Sequence, residues 1–99
     1  MFKEIKPLQG SAFVHITKYQ MTISKKLIDD YLDKGRISIF LDEIHKKIGL
    51  KSNPNGQYKI SQGNHRWSVR CTEICNLVNG YFYPEWSKKY KMLIFSYGD

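Results

Sequence analysis

This sequence has few cysteines, no long apolar run and no apolar segment among its first residues. Each of these shortages excludes a class of protein. Two cysteines among 99 residues cannot build a dense disulfide framework, so free thiols in a reducing compartment are expected. No stretch approaches the roughly 20 apolar residues that a membrane-spanning helix needs. The first residues also lack the apolar segment of a secretory leader. The sequence therefore predicts a cytoplasmic protein with no membrane partner.

Acidic residues are also few. Nine Asp and Glu stand against 16 Lys and Arg, which gives a formal net charge of +7. An excess of this size favours a polyanionic partner, such as nucleic acid, an anionic surface or an acidic protein. Charge alone does not choose among these partners, and a basic domain can also work without any of them.

Recognisable catalytic motifs are missing as well. The chain has no Gly-flanked Ser, no paired carboxylates at strand ends and no glycine loop for phosphate. Cys71 and Cys75, with three histidines elsewhere, could supply zinc ligands, but the cysteine spacing is not that of zinc fingers. The sequence therefore predicts no enzyme, no cofactor and no metal site, and both cysteines are interpreted as buried free thiols.

What the chain does contain is the pattern of one α+β domain over residues 1–99. Residues 1–12 include Pro7 and Gly10 and are expected to form a loose amino-terminal arm. Beyond this arm, β-forming residues and period-two alternation indicate a series of short strands. These strands are predicted over residues 13–23, 36–41, 48–51, 57–61, 65–71 and 89–97.

Two helices are predicted between these strands. Residues 25–34 place their apolar side chains on one face, and Ser24 is expected to cap the first turn with its hydroxyl. Thr72 is expected to cap a second, shorter helix. Turns such as Asn55-Gly56 connect most strands as hairpins. We therefore expect a mostly antiparallel sheet of about five to six strands, with one or two helices packed on one face.

The alternation also assigns two faces to the middle strands. An apolar set is expected to face the helices: Ile37, Ile39, Leu41, Ile48, Leu50, Tyr58, Ile60, Trp67 and Val69. The opposite set holds six cations and no carboxylate: Arg36, Ser38, Lys47, Gly49, Lys51, Gln57, Lys59, Arg66, Ser68 and Arg70. One face of the sheet is thus predicted to be a cationic surface.

A cationic sheet face suits nucleic acid, because Lys and Arg neutralise phosphates and release counterions. Phe40 is expected on the same face and could stack on a base, and Gly49 would let a nucleic-acid backbone approach closely. The predicted phosphate-binding residues are Arg36, Lys51, Lys59, Arg66 and Arg70. The alternative is a solvated outer face that is kept basic to prevent aggregation.

The aromatic segment 81–86 suggests a second kind of partner. Tyr81, Tyr83 and Trp86 are residue types that often anchor protein–protein interfaces. A module binding through this segment, such as a phage or viral inhibitor of a host machine, is the alternative function. The plainer interpretation is that these rings cover an open edge of the core.

A pattern over residues 21–61 resembles a group of known proteins. Residues 21–25 read Met-Thr-Ile-Ser-Lys, residues 42–43 are Asp-Glu, and residues 46–51 read Lys-Lys-Ile-Gly-Leu-Lys. This order is similar to small uncharacterised phage and prokaryotic proteins, and its opening resembles AbrB-like regulators. A helix-like segment before Gly35 departs from the regulators' pattern. Because those regulators are DNA-binding dimers, the resemblance implies DNA binding without enzymatic activity and leaves a homodimer open.

Taken together, these observations predict a non-enzymatic accessory or regulatory protein that binds nucleic acid through a cationic sheet face. DNA and RNA are not distinguished by the sequence.

Overall fold

The computed structural model describes residues 12–33, 35–63 and 66–98. Within these ranges the chain forms nine strands and two helices, so the α+β class is confirmed. Their bounds are β1 (Val14–Ile16), β2 (Met21–Ile23), α1 (Lys25–Tyr31), β3 (Arg36–Asp42), β4 (Lys47–Ser52), β5 (Tyr58–Gly63), β6 (Arg66–Val69), α2 (Thr72–Leu77), β7 (Gly80–Phe82), β8 (Glu85–Ser87) and β9 (Met92–Ser96). The predicted arm lies outside the described residues, apart from Ala12, which packs against the core.

The expectation of five to six strands is wrong, because one predicted strand divides in two and residues 80–87 form two strands that were not predicted. Residues 13–23 form two strands joined by a turn, in which the Thr17 N–H donates to the Gln20 carbonyl at 2.9 Å. The Thr17 hydroxyl oxygen also accepts from the Gln20 N–H at 3.3 Å, which favours the turn locally. Pro84 stops β7 but does not prevent a new strand from beginning at Glu85.

The strands form one sheet in the order β7-β1-β2-β6-β5-β3-β4-β9-β8, and every pairing in the described part of the chain is antiparallel. β7 and β8 lie at opposite ends of this order, yet only residues 83 and 84 separate them along the chain. The rings of Phe82 and Phe95, from the two halves, stack with centroids 5.0 Å apart. The sheet therefore curls until its two ends meet.

The core lies inside this curl and is built by the inward positions of the strands. Burial alternates along β1, β2 and β9, as period-two side chains require. Fully buried large residues are Ile16, Met21, Ile23, Leu27, Leu32, Ile37, Ile48, Leu50 and Leu93. Each such side chain stabilises the fold by about 1.5–3 kcal/mol relative to an exposed position. Leu41, expected inside, is exposed although its partner Ile48 is buried, because β5 pairs with β3 only at Arg36 and Ile37 and leaves the other side of β3 without a paired strand at Leu41.

The two helices are too short to be stable alone and depend on their packing. α1 buries Leu27 and Ile28 and ends at Tyr31, three residues before its predicted end. Ser24 does not cap it through its side chain. Instead the Ser24 hydroxyl oxygen accepts from the Phe13 N–H at 3.1 Å, because Ser24 is still extended and continues the β1–β2 pairing. In α2, Thr72 is the first helical residue and Cys71 occupies the cap position.

The predicted turn at residues 53–56 is present, but Gly56 is needed there for a different reason. The Gly56 N–H donates to the Asn53 carbonyl at 2.9 Å, which closes the turn. The positive φ angles among described glycines occur at Gly35 and Gly80, not here. A Cβ on Gly56 would overlap the backbone of Ile37. Gly56 therefore permits a close approach of the turn to β3.

Candidate functional site

Strand register places most of the predicted cations on the outer face of the curled sheet. Arg36 lies opposite Lys59 in the β3–β5 pair, and the adjacent pair is Ile37 with Tyr58. Ile37 is fully buried, so its neighbour Arg36 must point outward. Directly opposed residues share a face, and Lys59 therefore points outward with Arg36.

The same rule extends this surface to both sides. Lys51 lies opposite Ser38 in the β3–β4 pair, and Arg66 lies opposite Gly63 in the β5–β6 pair. Arg70 follows β6 directly after the buried Val69, so it continues on the outer side. The structure thus brings all five predicted phosphate-binding residues to one face, which we call the cationic face: Arg36, Lys51, Lys59, Arg66 and Arg70.

The charges of the cationic face are not neutralised by acidic neighbours in the described chain. Ion pairs in that part join Lys25 to Asp29 and Lys26 to Asp30, and Asp42 contacts the ring of His45. All five side chains of the cationic face are exposed. Arg36 is held in place by its Nε, which donates to the Gly56 carbonyl at 2.8 Å. This hydrogen bond fixes the orientation of the Arg36 guanidinium. No described carboxylate pairs with its positive charge.

A shallow depression of about 460 Å³ lies in the middle of the cationic face. Lys59 and Arg70 line it together with polar side chains. Its other lining residues are Gln20, Gln57, Tyr58, Ser61 and Ser68. The depression offers two cations and several neutral hydrogen-bonding groups, which is a composition suited to a phosphate or sugar.

The expectation that the whole outer face is free of acid fails at its far end. Asp42 lies opposite Lys47 in the β3–β4 pair, and Glu85 lies opposite Ile94 in the β8–β9 pair. Both carboxylates flank Lys47, which lines a depression together with Glu85. Lys47 is therefore excluded from the cationic face, and the acid-free region covers β5, β6 and the adjoining parts of β3 and β4.

Asp42 also has a defined local partner. His45 Nδ1 lies 2.8 Å from Asp42 Oδ2, and the His45 backbone N–H donates to Asp42 Oδ1 at 3.1 Å. These hydrogen bonds hold the pKa of the Asp42 carboxyl below its ordinary value of 3.8. Asp42 is therefore a stable negative charge at the end of the hairpin.

Phe40 reaches the outer face as predicted, but Gly49 does not leave an open backbone. Phe40 lies opposite Gly49 in register, and its side chain is 48% exposed. A Cβ at Gly49 would lie 2.6 Å from Met92 Sδ, so the Met92 side chain covers the glycine. The predicted approach of a nucleic-acid backbone to Gly49 is therefore wrong.

Phe40 instead belongs to an apolar groove of about 450 Å³ that sequence reasoning missed. Met92, Ile94 and Tyr90 line it, all contributed by β9 and the turn before it. The sequence does contain a signal for these outward residues, which is the alternation within β9. Leu93 and Phe95 are buried, whereas Met92 and Ile94 face outward. The groove adjoins the cationic face on the side of Lys51.

A polar row crosses the remaining outer surface. His15, Thr22, Ser68 and Ser61 follow one another in register over β1, β2, β6 and β5. Tyr81 lies opposite His15, and their rings stack with centroids 3.9 Å apart. This row supplies polar donors and acceptors beside the cationic face.

The three aromatic residues predicted to bind a partner do not form one patch. Tyr81 belongs to the outer face, where it stacks on His15. Trp86 lies opposite the buried Leu93 and stacks on Tyr31 of α1, with centroids 4.6 Å apart. Tyr83, between them, is 54% exposed. Segment 81–86 thus connects β7 to β8, the two end strands of the sheet. It also exposes Tyr81 and Tyr83.

The cysteines and histidines do not assemble a metal-binding group in the described chain. No three side chains among His, Cys, Asp and Glu converge there. Cys71 and Cys75 are both free and buried, which confirms the sequence interpretation. Burial raises the pKa of the Cys71 thiol to about 12, and the neighbouring Cys75 adds to this shift. Neither described helix is long and apolar enough to cross a membrane.

Comparison with known proteins identifies no relative. No family model matches the chain, and neither the curated proteins nor the solved structures contain a match.

Proposed function

We propose that this protein binds nucleic acid through the cationic face and acts as a non-enzymatic accessory or regulatory factor. Phosphates would be contacted by Arg36, Lys51, Lys59, Arg66 and Arg70. One observation carries the proposal: Arg36 and Lys59 are directly opposed on neighbouring strands, without a described carboxylate paired to either.

The pairing of Arg36 with Lys59 destabilises the unbound protein, because like charges directly opposite each other in a sheet repel. A bound phosphate would relieve the repulsion, since it places negative charge between two cations. Neighbouring Lys51, Arg66 and Arg70 extend the same potential over several strands. Such a field also accelerates the encounter with a polyanion.

Salt dependence provides the first test. Neutralising about five phosphates gives a slope of log affinity against log salt of about −4.5 for duplex DNA or about −3.5 for a single strand. Fluorescence anisotropy with labelled DNA and RNA of mixed sequence would measure it. Absence of binding at low salt would overturn the proposal.

Matched variants distinguish the effect of the cationic face on binding from the effect of the protein's net charge. Lys59→Gln with Arg70→Gln removes two positive charges from the face. Lys25→Gln with Lys26→Gln removes two from α1, where both side chains already pair with aspartates. We expect a loss of at least about tenfold for the first pair and little change for the second. Equal losses would mean that only overall charge attracts the polyanion.

A second candidate function is protein binding through the aromatic segment 81–86, and the exposure of Tyr81 and Tyr83 favours it. The informative variant is Tyr83→Ala, because Trp86 has a structural contact with Tyr31. Capture of a defined protein that is lost in Tyr83→Ala, with nucleic-acid affinity unaltered, would support this function over the first.

A further inference from the structure

The apolar groove beside the cationic face is unusual for an outer sheet surface. Its lining includes Phe40, Met92 and Ile94, together with the exposed Tyr90. These residues are not needed to cover the core, which lies on the other side of the sheet at Ile48, Leu50 and Leu93. Its volume of about 450 Å³ falls within the about 300–1,000 Å³ of small-ligand sites.

The position of the groove relative to Lys51 suggests its occupant. Phe40 lies opposite Gly49, and Ser38 lies opposite Lys51, so Phe40 and Lys51 are diagonal neighbours on one face. Such neighbours lie about 7–8 Å apart at Cα. A phosphate held by Lys51 would therefore bring the base of the same nucleotide over the Phe40 ring.

The two ends of the groove differ in charge, which gives a bound strand a direction. Lys51 and Arg36 lie toward the cationic end. Asp42, His45 and Lys47 line the other end, where the Asp42 carboxylate lies directly opposite Lys47 and offsets its positive charge. A phosphate is thus favoured at one end only, and the apolar middle is left for an uncharged planar group.

From this arrangement we infer that the protein selects single-stranded nucleic acid, with an unpaired base stacked on Phe40 in the groove and its phosphate on Lys51. In a duplex the bases already stack on one another and cannot reach a ring on a sheet surface, whereas a single strand can turn a base outward. This inference rests on the proposed function, because it uses the same cationic face for the phosphates.

Abasic strands provide the sharpest test, since they keep the phosphates and remove the bases. Anisotropy titrations would compare a thymidine strand, an abasic strand of equal length and a duplex. We expect the thymidine strand to bind roughly tenfold more tightly than the abasic strand. In Phe40→Leu, which keeps apolar bulk but removes the ring, this preference should disappear, and in Phe40→Trp it should persist. Ile44→Ala, which removes an exposed apolar side chain from the adjacent turn, should leave it unchanged.

The outcomes separate the inference from the proposed function. Equal affinity for thymidine and abasic strands would overturn the base contact while leaving phosphate binding intact. Equal displacement of the strand by polyglutamate of the same charge would overturn it as well. No binding to any of the three nucleic acids would instead overturn the proposed function.

Discussion

The Sγ atoms of Cys71 and Cys75 lie 3.8 Å apart inside the core. Cys71 precedes α2 and Cys75 lies one turn into it, and both thiols are free members of the buried cluster. Cys71 Sγ also lies 3.8 Å from the Val69 carbonyl oxygen. Both thiols therefore act as small core side chains.

Alkaline pH should destabilise the fold through Cys71. Its pKa is about 12 in the folded protein against 9.0 for the exposed group. As pH rises, the Cys71 thiol therefore loses its proton in the unfolded chain before it does so in the folded protein. The stabilisation that comes from burying the neutral thiol is complete below about pH 9 and is lost as pH rises toward 12. Urea unfolding in reducing buffer should show a falling free energy of unfolding above pH 9. Cys71→Ala should flatten this decline, although Tyr58, whose pKa is also raised, keeps part of it. An unchanged slope would contradict the assignment.

Gly56→Ala should destabilise the protein, because the added methyl group overlaps the backbone of Ile37. We expect a loss of about 1–3 kcal/mol in the free energy of unfolding, as in other overpacked sites. Gly63→Ala is the matched control, since the nearest atom to its Cβ would be the Arg66 carbonyl oxygen at 3.9 Å. Urea denaturation of both variants measures the difference, and equal stabilities would show that the turn can shift away from β3.

The Asp42 carboxyl should titrate below its ordinary value of 3.8, because His45 hydrogen-bonds to it through its side chain and backbone. Because the pKa is lowered on folding, the ionised Asp42 carboxylate stabilises the folded protein above pH 3.8. This stabilisation is lost as pH falls through the pKa of Asp42 in the folded protein. Carbon-detected NMR of the side-chain carboxyl would follow the titration. In His45→Ala the pKa should rise toward 3.8, while the backbone hydrogen bond keeps part of the shift. A pKa unaffected by this substitution would mean that the side-chain contact is absent in solution.

The contact between Phe82 and Phe95 should couple the two ends of the sheet energetically. Aromatic pairs of this kind contribute about 0.5–1.5 kcal/mol beyond their buried area. A double-mutant cycle with Phe82→Leu and Phe95→Leu, followed by urea unfolding, would isolate this interaction. Additive losses would show that the two rings do not stabilise each other.

The sequence was most informative where period-two alternation was regular. The strands from Arg36 to Leu41 and from Ile48 to Lys51 have the predicted faces, so alternation places Arg36 and Lys51 on the outer side. Alternation in β5 and β6 does the same for the other three cations, which are Lys59, Arg66 and Arg70. Boundaries were less predictable, because tertiary pairing overrides local preference. Ser24 has the residue type of a helix cap, yet its hydroxyl bonds to Phe13 across two strands.

The groove could not be predicted, because it depends on which strands become neighbours. β4 pairs with β9, a strand more than 40 residues later in the chain, and this pairing puts Met92 over Gly49. Asp42 was expected in a turn and not on the outer face, whereas β3 continues to Asp42. Local periodicity gives the face of a residue but not its neighbour across the sheet.

Residues 80–87 supply both β7 and β8, which are the first and last strands of the sheet. The two margins are consequently tethered by peptide bonds at Tyr83 and Pro84 rather than left at opposite sides of the molecule. The two margins therefore cannot move far apart while the chain is intact. Cleavage at that point would release both margins at once, and each would then present unpaired backbone groups of the kind on which another chain can add a strand.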